Sequence, residues 1–140
     1  MFRHILIGYD GSSHAQKALD KGLALARLTV ADLTLVTAFP DVPTYLGSPH
    51  YDQMVERATL QAREVAEQAA LQARAQGFAN VRVEVVEGSP AECILRVAET
   101  LNCDCIVIGS RGHGAMAGLL LGSVSDRLAH HARVPVLIVK

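Results

Sequence analysis

The chain has 140 residues, of which 50% are hydrophobic and 19% are charged. This length predicts one domain with a substantial apolar core, because two domains of ordinary size would need a longer chain. The 13 basic and 14 acidic residues nearly balance. No block of like charge is present, so we expect no nucleic-acid partner. No apolar window reaches the length of a membrane span, so we expect no membrane association.

The cysteines and the first residues bear on the cellular compartment. Cys93, Cys103 and Cys105 are odd in number and cannot all pair with one another. The Cys-x-Cys pair lacks the second ligand cluster of a zinc site, so we interpret all three as reduced thiols. The apolar run near Met1 is too short for the hydrophobic region of a signal peptide. Together these features predict a soluble cytoplasmic protein.

Five apolar, β-branched runs are predicted to be strands. They span residues 5–8, 33–38, 81–86, 105–108 and 134–139. Near-continuous apolar character is typical of strands that are covered on both faces of a parallel sheet. The run at 81–86 alone alternates apolar and polar residues, which favours an edge position.

Helix-like segments separate these strands. Ser13 and Gln16 have the spacing of a capping box at the start of the first helix. The second helix is predicted over about residues 51–76, because alanine and valine recur there at helical spacing. Gly77 follows it as a predicted left-handed stop.

The last two helices carry similar start signals. Ser89 is predicted to cap the third helix, with Glu92 reaching back to the cap amide. Ser123 is predicted to cap the fourth helix. Its inward face would include Leu128 and Ala129.

Strand and helix alternate four times before a fifth strand closes the pattern. This alternation predicts an α/β fold, a doubly wound, Rossmann-like parallel sheet of order 3-2-1-4-5 with helices on both faces. In that order, ligands bind beyond the carboxyl ends of the first and fourth strands. Asp10 and Gly109 follow those two strands. The proline-rich segment 40–49 emerges at the same edge, either as a flap over a site or as a plain connection.

The segment between the fourth strand and the fourth helix predicts a phosphate site. Residues 109–123 contain five glycines and two serines. Glycine takes positive φ at little cost, and such a loop presents backbone N–H groups next to a positive helix end. Ser110, Ser123 and Ser125 can donate hydroxyl hydrogen bonds to phosphate oxygens.

Two familiar nucleotide motifs do not account for this segment. A P-loop is excluded because the chain has no Gly-Lys pair. Residues 112–117 satisfy a loose dinucleotide pattern, but they begin three residues after the strand. No acidic residue follows at the required distance. We interpret Leu119, Leu120 and Leu121 as an apolar anchor beneath the loop or as a subunit contact.

Gly109, Gly112, Gly122 and Ser123 fit the pattern G-x2-G-x9-G-[ST]. This pattern resembles the nucleotide-binding signature of the ATP-binding branch of the universal stress protein family. The similarity covers the whole chain and includes ILIGYDGS near the start and LLLGSVSDRLAHHARVPVLIV at the end. It implies a single universal stress protein domain over residues 1–140, with an adenine nucleotide alpha hydrolase-like fold. It also implies a nucleotide-dependent regulator or sensor in the stress response.

The resemblance also implies a set of nucleotide-binding residues. Asp10 matches the family's acidic residue near the nucleotide and is the candidate ligand for Mg²⁺, while Ala38 would line the adenine pocket. The residues that would surround the phosphates and ribose are Gly109, Ser110, Arg111, Gly112, Gly122, Ser123, Val124 and Ser125.

The chain departs from the family pattern just before the leucine run. Many relatives carry a basic residue there, where this sequence has Ala117 and Gly118. Arg111 and His113 are then the positive candidates in the loop, although His113 could equally be a solvated loop residue. We therefore expect AMP or ADP to compete with ATP.

Two other functions fit the same residues. A slow ATPase or nucleotidyl-transfer enzyme would need a carboxylate to hold metal, and Asp10 alone is available near the loop. A dimeric interaction module without nucleotide turnover is the third interpretation. By resemblance to the family, we expect a homodimer through the last strand, whose apolar edge invites pairing, and a protein partner of unknown identity.

Overall fold

The structure is a computed structural model that describes residues 1–113 and 121–140. Within these residues the chain forms five strands and four α-helices. The strands are β1 (His4–Gly8), β2 (Asp32–Phe39), β3 (Val81–Glu87), β4 (Cys105–Gly109) and β5 (Val136–Val139). The helices are α1 (Ser13–Thr29), α2 (His50–Ala75), α3 (Pro90–Thr100) and α4 (Ser123–His131), with a short 3-10 turn at Thr44–Leu46.

All five strands lie in one parallel sheet in the order β3-β2-β1-β4-β5. The predicted fold class and strand order are confirmed, and β3 lies at an edge as its alternating pattern predicts. Ile7 of β1 is paired with Leu35 of β2 on one side and with Val107 of β4 on the other. The carboxyl ends of β1 and β4 are therefore neighbours at the point where the strand order reverses.

Successive residues of β1 enter two separate cores, because side chains of a strand alternate between the faces of the sheet. Ile5 and Ile7 pack with residues of α1 and α2 on one face. Leu6 packs with residues of α3 and α4 on the other face. All three side chains are fully buried. Helices cover both faces, which is why the sequence of β1 reads as an unbroken apolar run.

Small residues let the helices of the first face approach the sheet closely. A Cβ atom on Gly22 of α1 would lie 2.5 Å from Cδ1 of Ile7. The buried face of α2 consists of alanine alone, at Ala62, Ala66, Ala69, Ala70 and Ala73. Helix α2 therefore lies close to β2 and β3 and forms a side wall at the carboxyl edge of the sheet.

The cap of α1 differs from the prediction by one residue. The N-cap is Ser12, whose hydroxyl oxygen accepts a hydrogen bond of 3.1 Å from the backbone N–H of Ala15. The predicted capping box at Ser13 is wrong, because Ser13 is already helical. The side chain of Gln16 accepts a hydrogen bond from the hydroxyl of Tyr9 instead. Two adjacent serines offer the same chemistry, and only the extended backbone at Ser12 decides between them.

The start of α3 matches its prediction in part. Ser89 is the N-cap residue, but its side chain makes no capping hydrogen bond among the described residues. Glu92 does not reach back to the cap amide, since its carboxylate accepts a hydrogen bond of 3.0 Å from Nη2 of Arg127. A charged partner on α4 is therefore preferred to the predicted capping box.

The start of α4 also differs from its prediction. Gly122 is the N-cap and Ser123 is the first helical residue, so the predicted Ser123 cap is wrong. Leu128 is buried as predicted, whereas Ala129 is exposed. The short helix buries a narrow stripe, on which Ser125 lies together with Leu128.

Val30 ends α1 in a left-handed conformation, with φ 54° and ψ 44°. A β-branched residue in this region is strained by about 1–2 kcal/mol, whereas asparagine tolerates it more readily. Asn102, just after α3, has nearly the same φ, 53°. The side chain of Val30 is 90% exposed, so replacing it sacrifices little packing.

We expect Val30→Asn to raise the free energy of unfolding by about 1 kcal/mol, because the strain is relieved and no buried contact is lost. Urea unfolding followed by circular dichroism measures the change. Asn102→Val is the matched reverse variant and should lower the free energy of unfolding by a similar amount. A loss of stability in Val30→Asn would contradict the assignment of strain at this position.

Candidate functional site

A cleft of about 750 Å³ lies at the carboxyl edge of the sheet, above the ends of β1 and β4. Its volume is typical of sites for small molecules, and its position is where doubly wound sheets bind ligands. Nine of the ten predicted site residues line it; Ser110 does not. These nine are Asp10, Ala38, Gly109, Arg111, Gly112, Gly122, Ser123, Val124 and Ser125.

One half of the cleft is apolar. The end of β2 contributes Val36, Ala38 and Phe39, and α3 contributes Ile94. Helix α2 adds a wall that the sequence reading did not assign to the site: Ala58, Gln61, Ala62 and Val65. Three of these four residues belong to the face that helical spacing assigns to the core, so spacing alone could not separate core from cleft. This half suits a flat, largely apolar group.

The other half is built from the glycine segment, of which the structure describes residues 109–113 and 121–123, and from the turn after β1, residues 9–12. A Cβ atom on Gly109 would lie 2.8 Å from the backbone of His14, and one on Gly112 would lie 2.5 Å from Oδ2 of Asp10. Neither glycine has a positive φ. Gly109 and Gly112 are therefore required for close approach, and the expectation that they supply left-handed backbone is wrong for both.

The carboxylate of Asp10 connects the two sides of the polar half. Its Oδ1 accepts a hydrogen bond of 2.9 Å from the backbone N–H of Ser12. Its Oδ2 accepts one of 3.1 Å from the backbone N–H of His113. Desolvation raises the pKa of Asp10, but the hydrogen bonds from Ser12 and His113 outweigh it, so the pKa lies below the ordinary value of 3.8. Asp10 is therefore a stable anion in this cleft.

Ser110 and Ser125 are structural contacts in this arrangement. The carbonyl of Ser110 accepts hydrogen bonds from the N–H of Gly122 at 2.6 Å and from the hydroxyl of Ser125 at 2.7 Å. The N–H of Ser110 donates to the carbonyl of Val139, at the end of β5, at 2.7 Å. Both serines are 1% exposed. Ser123 is exposed, so its hydroxyl is the one of the three that is free to reach a ligand.

His14 is a residue at this site that the sequence reading missed. Its Nδ1 lies 3.3 Å from the hydroxyl oxygen of Ser110, and its backbone packs directly on Gly109. The signal in the sequence was its position in the first turn of a helix that begins at the switch point. His14 supports the glycine segment from below and does not line the cleft.

Two features of the polar half can receive an anion. Gly122, Ser123 and Val124 line the cleft at the start of α4, which has no side-chain cap within the described part of the chain. The N–H of Gly122 donates to Ser110. The N–H groups of Ser123 and Val124, together with the helix dipole, therefore make this end partially positive. In the described residues, Nε of Arg111 is the buried side-chain nitrogen or oxygen atom that has no hydrogen-bond partner. A ligand oxygen would supply that partner.

The other predictions for this region are not tested by the described residues and stay predictions. Within residues 1–113 and 121–140, no three histidine, cysteine or acidic side chains are grouped as a metal site, so Asp10 stays a predicted Mg²⁺ contact. Pro40 lines the cleft, and the segment 40–49 stays a predicted flap. Ala117, Gly118, Leu119 and Leu120 lie outside the described residues. No helix in the described ranges is both long and apolar enough to traverse a bilayer.

The fold and the cleft together define a doubly wound α/β protein with a cleft at its switch point. The sequence profile described as "Universal stress protein family" matches residues 1–140. The chain therefore belongs to the universal stress protein family.

Individual relatives are similar over the whole chain. A universal stress protein of Thermus aquaticus, encoded beside a QAH/OAS sulfhydrylase gene, is 40% identical over 143 residues and covers 100% of both chains. The solved structure of the protein MJ0577 has a TM-score of 0.90 at 28% identity, covering 100% of this chain and 96% of that one. A universal stress protein solved in complex with cAMP has a TM-score of 0.72 at 27% identity, covering 99% and 97%.

We expect the carboxyl group of Asp10 to titrate below 3.8 in a ¹³C NMR titration. A lowered folded-state pKa stabilises the fold above the unfolded-state pKa, and this contribution is lost as the pH falls through the folded-state value. Asp10→Asn should therefore lower stability at pH 7 and lose this difference in acid.

Asp104 provides a control away from the cleft. Desolvation raises its pKa, but hydrogen bonds from the backbone N–H groups of His4 and Arg3 outweigh it and lower the pKa. Asp104 precedes β4, at the amino edge of the sheet. Asp104→Asn should show the same acid-dependent loss of stability without changing the cleft. A titration of Asp10 at or above 3.8 would contradict the hydrogen-bonded geometry.

Proposed function

We propose that this protein binds an adenine nucleotide in the cleft at the switch point and acts as a nucleotide-dependent regulator or sensor in the cytoplasmic stress response. ATP, ADP and AMP are the candidate ligands. The observation that carries the proposal is Nε of Arg111, a buried donor on the cleft wall that lacks a partner among the described residues. Such a donor is costly to bury unless a ligand oxygen accepts from it.

The shape of the cleft supports a nucleotide rather than a simple anion. Its apolar half at Ala38 and Phe39 suits a purine ring, and its polar half carries the start of α4 and Arg111. A nucleoside phosphate has the same division into a flat, weakly polar base and a charged tail. The relative that was solved in complex with cAMP supports an adenine nucleotide as the ligand.

The small positive charge of the glycine segment affects which of AMP, ADP and ATP should bind best. Residues 109–125 contain one arginine, one histidine and no lysine. A triphosphate carries more negative charge than Arg111 can balance, so AMP and ADP should compete with ATP unless Mg²⁺ accompanies it. Asp10, which is anionic at neutral pH, is the proposed contact for that ion.

Calorimetric titration with ATP, ADP, AMP and cAMP tests the proposal. We expect Arg111→Met to weaken binding by about 10- to 100-fold, because it removes a charge-assisted hydrogen bond and keeps the aliphatic stem. Arg133→Met is the matched control, since Arg133 is 91% exposed and lies outside the cleft. Absence of binding by the unmodified protein at about 1 mM of each nucleotide would refute the proposed function.

We further propose a homodimer through β5. This strand is at the edge of the sheet, and Leu137 on it is 41% exposed. An apolar edge strand with free N–H and C=O groups pairs readily with a second copy. A protein partner of unknown identity, which would recognise the nucleotide-dependent surface, is part of the same proposal.

We expect Leu137→Glu to convert a dimer to a monomer, because two such strands would place like charges side by side. Sedimentation velocity across a range of protein concentrations measures the change. Leu71→Glu is the matched control, since Leu71 is 63% exposed on α2. A wild-type protein that sediments as a monomer at every concentration would contradict the dimer.

A further inference from the structure

The glycine segment is fixed at two places in the described structure. The first is Ser110, which is hydrogen bonded to β5, to Gly122 and to Ser125. The second is His113, two residues beyond Arg111. His113 is exposed, as a solvated loop residue would be. Its hydrogen bonds nevertheless go to one partner, Asp10, on the other side of the switch point.

His113 makes two hydrogen bonds to Asp10. Its backbone N–H donates to the carboxylate at 3.1 Å, and Nε2 of its ring lies 2.9 Å from the backbone carbonyl oxygen of Asp10. A carbonyl oxygen can only accept, so Nε2 carries the proton in this arrangement. The two bonds join the segment that follows β4 to the turn that follows β1.

The surrounding contacts favour this position of the ring. A Cβ atom on Gly11 would lie 3.9 Å from Nε2 of His113, so the ring lies over the turn after β1. Gly112 approaches Oδ2 of Asp10 so closely that no side chain fits between them. Asp10, Arg111, Gly112 and His113 all line the cleft. Arg111 and Gly112 therefore lie between the two fixed points of the glycine segment, Ser110 and His113.

We infer that His113 is a positioning residue whose ring N–H fastens the glycine segment to Asp10 and so holds the phosphate end of the cleft in its binding-competent form. This inference rests on the proposed nucleotide binding. A ligand binds the competent form, so affinity falls in proportion as that form is depopulated. One hydrogen bond at an exposed position corresponds to an affinity change of about 3- to 10-fold.

Two substitutions at position 113 separate the role of the ring from that of the backbone. His113→Ala removes the ring donor, whereas His113→Gln keeps an N–H donor at a similar reach from the backbone. His131→Ala is the control, because His131 is exposed on α4 and lies outside the 750 Å³ cleft. Each variant is measured without ligand and with the tightest nucleotide.

The first measurement is the protection of the backbone N–H of residue 113 from hydrogen exchange, followed by NMR in the ligand-free protein. This N–H donates to Oδ2 of Asp10, so its protection factor should fall in His113→Ala, in which the segment detaches. The protection factor should stay at the wild-type value in His113→Gln and in His131→Ala. Wild-type protection in His113→Ala, or equal losses in both position-113 variants, would overturn the inference.

The second measurement is nucleotide affinity by calorimetry. We expect His113→Ala to bind about 3- to 10-fold more weakly than the wild type, with His113→Gln restoring most of the loss. Unchanged affinity in His113→Ala would overturn the positioning role. If the wild type binds no nucleotide, the proposed function fails and the positioning role fails with it. The hydrogen-exchange measurement then still decides whether His113 fastens the segment.

Discussion

The chain leaves β1 toward one face of the sheet and leaves β4 toward the other, and the cleft exists because of this divergence. Right-handed crossovers require α1 to pack on the first face and α4 on the second. No helix can then cover the carboxyl ends of both strands. The space between them is open, and the turn after β1 and the glycine segment after β4 become its walls.

The two walls are held together by sterics and by hydrogen bonds. Gly109 packs on the backbone of His14, and Gly112 packs on the carboxylate of Asp10. Each contact leaves no room for a side chain. The carboxylate of Asp10 then accepts hydrogen bonds from both walls, which makes it an organising group as well as a candidate ligand contact. The glycine spacing in the sequence thus reflects packing between two segments that are about 100 residues apart in the chain.

Much of the fold could be predicted from the sequence because apolar runs and helix start signals are local. Ile5 and Leu6 of β1 face opposite sides of the sheet, and both are apolar. This pattern indicates a strand of a parallel sheet that is covered on both faces. The cap at Ser12 was missed because Ser13 offers the same side chain one residue later. The predicted strand order makes β1 and β4 neighbours, so it also predicts that Asp10 and Gly109 lie close together.

The orientation of single side chains could not be predicted in this way. Ser110 and Ser125 read as phosphate donors, yet the hydroxyl of Ser125 donates to the carbonyl of Ser110. Three residues of the wall formed by α2 have the spacing of ordinary core residues, and the fourth, Gln61, lies outside that pattern. The position of His14 in the first turn of α1 is visible in the sequence, but its contact is not, because its partner Ser110 lies 96 residues later in the chain. These side-chain contacts join different elements of the fold, and the spacing of residues within one element carries no information about them.

The carbonyl of Val139 accepts a hydrogen bond from the N–H of Ser110, so the outer strand of the sheet is joined directly to the glycine segment. If the proposed dimer forms through β5 and displaces Ser110, and if the proposed nucleotide binds, thermodynamic reciprocity requires the dissociation constants of nucleotide and of dimer to change by one common factor. The abundance of the protein would then influence how much nucleotide each copy holds. A cell that makes more of this chain would thereby change the nucleotide level at which it responds.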